Sequence, residues 1–346
     1  MHVQFDEFLE QLIINLQWYF GWICEKIGYC RIVPRHIKEV VFEKWLYPLA
    51  YSKNFDIDYW FLLFVGCLPL IIACLLPLVF LSFVYFTYFV AQLYKIKHRF
   101  FDAVQTDWLL AARLTVAAMF KIHGQIWHGF EVEGWEKIPN GPAILVYYHG
   151  ALPLDCYYLT AKMILEEQRK LFVVGDRFLA KIPGMPLLCK LANVTAPERK
   201  DVIHQLNSGN LVILSPGGTR ESYKSDYKSY KLMWSHRVGF AKIALEAKVP
   251  IYPIFTRNIR EAFRFLRIWP IWNMLMHLYE KYRLPFALPI GGFPVKLKCF
   301  IGDPIPYNGS MEPEELAALV QKSLTNLIKR NQILPGSIFR AIRERF

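Results

Sequence analysis

Polar and apolar positions follow three different rhythms along this chain. From Phe8 to Ile23, the residues Leu9, Leu12, Ile13, Leu16, Phe20 and Ile23 recur at helical spacing, with Glu10, Asn15 and Gln17 off that stripe. The pattern predicts an amphipathic helix that lies in a membrane interface or packs on a larger domain. From Trp60 to Tyr94 the alternation stops and no residue is charged, whereas one helical crossing of a bilayer needs only about 20 apolar residues. Pro69 and Pro77 interrupt the backbone hydrogen bonding of that run. We expect a membrane-anchoring helical hairpin of two short spans over residues 59–94, with one long kinked helix as the alternative, and an interfacial segment over residues 1–58.

Beyond the run, short apolar strands alternate with helical stretches. Residues Pro142–His149, Leu171–Val174, Leu211–Ser215, Pro250–Phe255 and Val295–Gly302 read as strands bounded by Gly, Pro and charge. Helices are expected between them at Pro153–Lys170, Lys200–Ser208, His236–Lys248, Ile259–Arg283 and Glu312–Asn331. This order predicts an α/β domain over residues 120–335, with a mixed, largely parallel sheet flanked by helices.

Composition narrows the class. Of 346 residues 54% are hydrophobic, and the formal net charge is +12. The basic surplus falls after the apolar run, and basic clusters flank it at Lys95–Arg99 and Arg31–Lys38. For a hairpin, that places both flanks on the cytosolic side. The basic bulk then faces anionic leaflet lipid or an anionic substrate such as a coenzyme A ester. Nucleic acid is not expected as a partner, because the surplus is scattered and the aromatics sit in apolar runs. The seven cysteines form no CxxC pair and no metal-ligand spacing, which suits reduced thiols in a cytosol-facing protein. The two N-x-[ST] triplets, at Asn193 and Asn308, are expected to be unmodified on that side of the membrane.

In open α/β sheets ligands bind at the carboxyl ends of the strands, and the polar signals collect there. "VYYHGALPLD" places His149 at the end of the first strand and Asp155 in the first turn of the next helix. A carboxylate so placed can hold one imidazole nitrogen and leave the other to take a proton from a hydroxyl; a structural polar pair closing the strand is the alternative. "SPGGTRES", Ser215–Ser222, follows another strand. Its Pro-Gly-Gly turn can aim backbone donors at a carbonyl or phosphate oxygen, with Arg220 beside them. No G-x-S-x-G elbow occurs, which disfavours a serine hydrolase.

Four segments appear in order: the histidine-to-aspartate turn, "APERK" (Ala196–Lys200), "SPGGTRES" and "KVPIYPIF" (Lys248–Phe255). Together they resemble the four blocks of the glycerolipid acyltransferase superfamily, the family of lysophosphatidic acid acyltransferases. The wording of "YYHGALPLD", "SPGGTRE", "HRVGFA", "GGFPVKL" and "GDPIPY" looks most like its transmembrane protein 68 group of neutral-lipid acyltransferases. The resemblance implies His149 as general base, Asp155 as its orienter, and substrate contacts from Gly150, Arg199, Pro216, Gly217, Gly218, Thr219, Arg220 and Glu221. It implies no cofactor: an acyl-CoA or a membrane lipid donates the acyl group, a mono- or diacylglycerol accepts it, and triacylglycerol forms. A lysophosphatidic acid acceptor and a non-catalytic lipid-binding or scaffold protein are the alternatives. An endoplasmic reticulum location follows from the same resemblance, and a regulatory protein partner stays open.

Two departures stand out. "HGALPLD" holds one residue more between His and Asp than the family usually does, and Gly217 stands where the third block usually has Glu. The resulting Pro-Gly-Gly turn is similar to that of the diacylglycerol acyltransferase 2 branch. Arg199 and Arg220 sit at positions that contact head groups in phosphate-using members.

Overall fold

The computed structural model describes residues 59–100, 108–234, 236–268, 271–282 and 287–346. The expected Phe8–Ile23 helix lies outside them. The helices are α1 (Tyr59–Phe100), α2 (Trp108–His128), α3 (Leu154–Glu166), α4 (Met185–Leu191), α5 (Arg199–Asn207), α6 (Gly218–Lys224), α7 (Gly239–Ala247), α8 (Ile259–Ala262), α9 (Ile271–Tyr282), α10 (Pro313–Asn331) and α11 (Ile338–Arg343). The strands are β1 (Glu131–Glu133), β2 (Ala143–Tyr147), β3 (Leu171–Val174), β4 (Val194–Thr195), β5 (Leu211–Leu214), β6 (Ile251–Arg257), β7 (Phe263–Phe265), β8 (Pro289–Gly291) and β9 (Lys298–Ile301).

Seven strands form one sheet in the order β1-β9-β6-β2-β5-β3-β4, and only the β6–β9 pairing is antiparallel. The expected mixed, largely parallel sheet is thus present. Its central strands read as unbroken apolar runs because both faces are covered: every residue of β2 and β5 is buried. Successive side chains point to opposite faces. Ile144, Val146, Val212 and Leu214 accordingly join one core, while Ala143, Leu145, Leu211 and Ile213 join the other.

Two expectations are corrected. Residues Tyr59–Phe100 form one continuous helix in place of the two-span hairpin. The proline nitrogens at 69 and 77 each remove one backbone donor, a loss that apolar helices tolerate when neighbouring groups re-satisfy the freed carbonyls. Within α1, Ile71–Lys95 is long and apolar enough to cross a membrane. The amphipathic stretch Ile259–Arg283 is also not one helix. It divides into α8, β7 and α9, because Phe263–Phe265 pairs antiparallel with Pro289–Gly291. Gly291 closes that pairing at φ +120°, where an added Cβ would lie 2.5 Å from the Ala262 carbonyl oxygen.

From Pro69 onward the chain is one compact unit. One side of α1 packs on it: the Phe80 ring meets Phe263 at 5.5 Å, and Phe83 stacks on His123 at 4.8 Å. The other side, with Leu75, Val79, Phe86 and Phe89, is exposed. That apolar face suits a lipid environment.

Candidate active site

Sheet register brings the motifs together. Val146 lies level with Leu214, and Tyr147 with Ile254, so the carboxyl ends of β2, β5 and β6 open side by side. His149 leaves β2, the Ser215–Arg220 turn leaves β5, and Asn258–Ala262 leaves β6.

His149 is half-buried and its ring stacks on Tyr147, with centroids 5.8 Å apart. Its Nδ1 lies 2.8 Å from the Gly150 carbonyl oxygen, an acceptor that fixes Nδ1 as the protonated nitrogen. Burial holds the imidazole pKa down at about 4; the Gly150 carbonyl opposes this and nearby Arg260 adds to it. At neutral pH the ring is therefore uncharged, and Nε2 carries the free lone pair.

Asp155 is buried in the first turn of α3, where its Oδ1 accepts from the Cys156 N–H at 2.9 Å. Burial raises its pKa to about 7, against the pull of Thr256 and the Cys156 N–H. No hydrogen bond joins it to His149. In this geometry the contact expected of Asp155 is made by the Gly150 carbonyl.

A cavity of about 1140 Å³ extends from His149, larger than the roughly 300–1,000 Å³ of pockets for drug-sized ligands. Ser215, Gly218, Thr219 and Arg220 line its polar end. Most of its remaining wall is apolar and combines Leu78, Leu81 and Val84 of α1, Val116, Ala117 and Phe120 of α2, and Leu188 of α4, with Arg113, Asp176, Arg177, Lys181 and Arg237 as charged exceptions. The membrane-type helix therefore forms one side of the space that the imidazole faces.

The other expected contacts lie elsewhere. Gly150, Pro216, Gly217, Glu221 and Arg199 do not line the cavity. Arg199 is ion-paired with Glu246 of α7, and Arg177 at the mouth with Glu198. Arg220 is exposed at the cavity with no ion pair among the described residues. Glu221 is fully buried, and its carboxylate accepts from the His149 N–H at 3.1 Å, the Met233 N–H at 2.9 Å and the Ser215 hydroxyl at 3.3 Å. A Cβ on Gly217 would lie 2.4 Å from the Glu221 Cβ, so the missing block-three side chain leaves room for this one.

Two arginines brace these turns: Arg237, within the "HRVGFA" segment of the resemblance, and Arg260, which lies outside the quoted motifs. Arg237, which also lines the cavity, donates to the carbonyls of Pro216 and Gly217, both at 3.0 Å, and so braces the turn. Arg260 is buried and donates to the carbonyls of His149, Glu221 and Ser222. The signal for Arg260 was a cation within "NIREAF", directly after the fourth block. Among the described residues no cluster of three His, Cys, Asp or Glu side chains is placed to hold a metal.

Comparison with known proteins bears on this geometry. A family model described as Acyltransferase matches residues 129–257, the span that carries all four blocks. The chain is 44% identical over 278 residues to the human protein named "DGAT1/2-independent enzyme synthesizing storage lipids", covering 78% of this chain and 85% of that one. The chain belongs to the glycerolipid acyltransferase family. Within that family it falls with the transmembrane protein 68 group; the chicken protein of the same name is 39% identical, over 80% of this chain and 83% of its own. Among solved structures it is similar to the 1-acyl-sn-glycerophosphate (LPA) acyltransferase PlsC from Thermotoga maritima, at 19% identity and a TM-score of 0.46, covering 72% of this chain and 96% of that one.

Proposed function

We propose that this acyltransferase esterifies mono- or diacylglycerol to form triacylglycerol at a membrane surface, with His149 as general base. The observation that carries the reading is the neutral imidazole at the polar end of a large apolar cavity walled by α1. The imidazole Nε2 takes the proton from the acceptor hydroxyl as the oxygen attacks the acyl carbonyl. The tetrahedral oxyanion is met by Arg220 and the N–H groups at the start of α6. Collapse breaks the bond to the donor's leaving group, which takes up the proton that the imidazolium received from the acceptor hydroxyl. A thioester or lipid ester is already an activated acyl group, so positioning, a base and an oxyanion contact are what the protein must add. Asp155, in the same buried turn, supplies negative charge that stabilises the imidazolium when ionised.

A neutral acceptor is favoured by the pairing of Arg199 with Glu246, which directs that guanidinium to another carboxylate and away from the cavity. The names of the mammalian and avian relatives, which describe storage-lipid synthesis, agree with it. The second reading, acylation of lysophosphatidic acid, rests on Arg220, a cation at the cavity available for a phosphate. By analogy with the family we place the enzyme in the endoplasmic reticulum membrane with its sheet domain in the cytosol, using acyl-CoA or a membrane lipid as donor.

The test uses microsomes carrying the full chain or its His149→Ala variant, supplied with labelled oleoyl-CoA and either diacylglycerol or lysophosphatidic acid. His149-dependent triacylglycerol supports the proposal. Phosphatidic acid as the only His149-dependent product replaces it with the second reading, and ester formation that survives His149→Ala removes His149 as base.

A further inference from the structure

We infer that Glu221 and Arg260 are a pair of positioning residues that clamp the main chain of His149 from both sides and so set where its imidazole meets the acceptor hydroxyl. The inference rests on His149 being the base.

The two peptide groups of His149 are the handles. Its N–H donates to the Glu221 Oε2 at 3.1 Å, and its carbonyl accepts from the Arg260 Nη2 at 3.0 Å. The same guanidinium nitrogen donates to the Glu221 carbonyl at 2.9 Å, while Nη1 donates to the Ser222 carbonyl at 3.2 Å. The third nitrogen, Nε, donates to the Tyr148 hydroxyl. The planar fork of one arginine thus ties the residue before His149, His149 itself and the middle of α6. Both charged side chains are buried, where the desolvation cost of an ion is offset only when its remaining polar atoms are hydrogen-bonded. Each compensates the other: Arg260 favours the ionised Glu221 carboxylate, which burial otherwise opposes.

This network joins three strand ends that sheet pairing alone leaves free. β2, β5 and β6 stop at Tyr147, Leu214 and Arg257, and the Tyr148 N–H, at 3.4 Å from the Ile254 carbonyl, is the last bond of the β2–β6 ladder before His149. Arg260 comes from beyond β6, Glu221 from beyond β5, and they meet at His149 beyond β2. Gly217 makes the meeting possible, because any side chain there would collide with Glu221. Neither residue lines the cavity, so neither touches the substrate, and their influence runs through the imidazole.

A base displaced by about 1 Å can cost on the order of 100-fold in rate. The experiment compares Arg260→Gln, Arg260→Lys, Glu221→Gln, the double variant Arg260→Gln/Glu221→Gln and His149→Ala in full-length protein reconstituted in phospholipid vesicles. It measures kcat, KM for the acceptor and thermal unfolding with whichever acceptor gives His149-dependent ester. The expected result is a kcat lowered roughly 100-fold in Arg260→Gln and Glu221→Gln, an unchanged KM, and partial recovery in Arg260→Lys. The double variant should be no slower than the worse single variant, because residues acting as a unit are non-additive. If Arg260→Gln misfolds, the two conservative variants, Arg260→Lys and Glu221→Gln, carry the same comparison. Wild-type kcat in folded Glu221→Gln and Arg260→Lys, beside an inactive His149→Ala, overturns the clamp and leaves the base in place. Full activity in His149→Ala removes the base, and the clamp's purpose with it.

Discussion

The two ends of the cavity are built by opposite means. At the polar end, main-chain groups are held by hydrogen bonds from charged side chains: the buried Glu221 and Arg260 and the exposed Arg237 grip peptide carbonyls and N–H groups from three loops. At the far end, apolar side chains of α1, α2 and α4 supply most of the wall, and directed bonds are few, such as Arg113 of α2 to the Leu191 carbonyl of α4. Directional bonds fix a point, whereas apolar packing fixes a volume, since the hydrophobic effect has no orientation. The first arrangement suits a reacting atom whose place must not vary. The second suits an acyl chain of variable length.

The sharpest break in that comparison is His149→Ala, which removes the proposed base and should lower ester formation by 10²–10⁴-fold, roughly the range of general-base contributions; labelled-oleoyl transfer in microsomes reads it directly. Gly217→Ala comes next. Its Cβ would lie 2.6 Å from the Glu221 Cδ, so Glu221 must move, and kcat should fall about tenfold or more with little change in KM.

Asp155→Asn tests charge at the same end. With its pKa raised to about 7, Asp155 becomes ionised as pH rises through neutrality, so the wild-type rate should climb across that range. The asparagine variant should lose about tenfold at pH 8 and show no limb near pH 7, leaving only the fall toward the pKa of His149 at about 4. A limb near 7 that persists in the variant would assign it to another group.

At the apolar end, Ala117→Leu adds bulk to the cavity wall. It should shift donor preference toward shorter acyl chains by about tenfold, since each methylene accommodated or refused is worth about 1–3 kcal/mol, while kcat with a short donor stays near wild type. Competition between labelled acyl-CoAs of two lengths measures it. The smallest effect is expected outside both ends. Arg199→Ala breaks an exposed pair with Glu246, and exposed pairs contribute about 0–1 kcal/mol, so ester formation should change less than about twofold. A larger loss would bring Arg199 back to the acceptor.

Acid stability gives a separate check. His149 and His128 have pKa values lowered to about 4 and about 3 by burial, below the value near 6.5 of an unfolded chain. On acidification the unfolded state takes up protons first, so their contribution is intact above about pH 6.5 and is lost as pH falls toward 4. Asp155 has the opposite sign. Its folded pKa lies above its unfolded one, so the stability it adds is complete below about pH 3.8 and disappears as pH rises to 7. Thermal unfolding between pH 7 and 5 should fall, and fall less in His128→Asn.

Periodicity and motif order in the chain foretold the mixed, largely parallel sheet, the long apolar helical run and the arrival of His149 beside the Ser215–Arg220 turn. Those features are local, or follow from strands that end where their apolar runs end: residues two apart share a sheet face, and a run without charge suits a lipid phase. What needs partners distant in sequence was settled only in three dimensions. Whether Trp60–Tyr94 folds back or runs straight depends on what covers the carbonyls freed by Pro69 and Pro77. Whether Ile259–Arg283 stays helical depends on Pro289–Gly291 being there to pair with Phe263–Phe265. The acceptor for the His149 imidazole, the turning of Arg199 toward Glu246 and the reach of Arg260 to three peptide carbonyls depend on register between strands far apart in the chain. A hydrogen bond across a fold is decided by distances of a few tenths of an ångström, and no spacing along one strand encodes them.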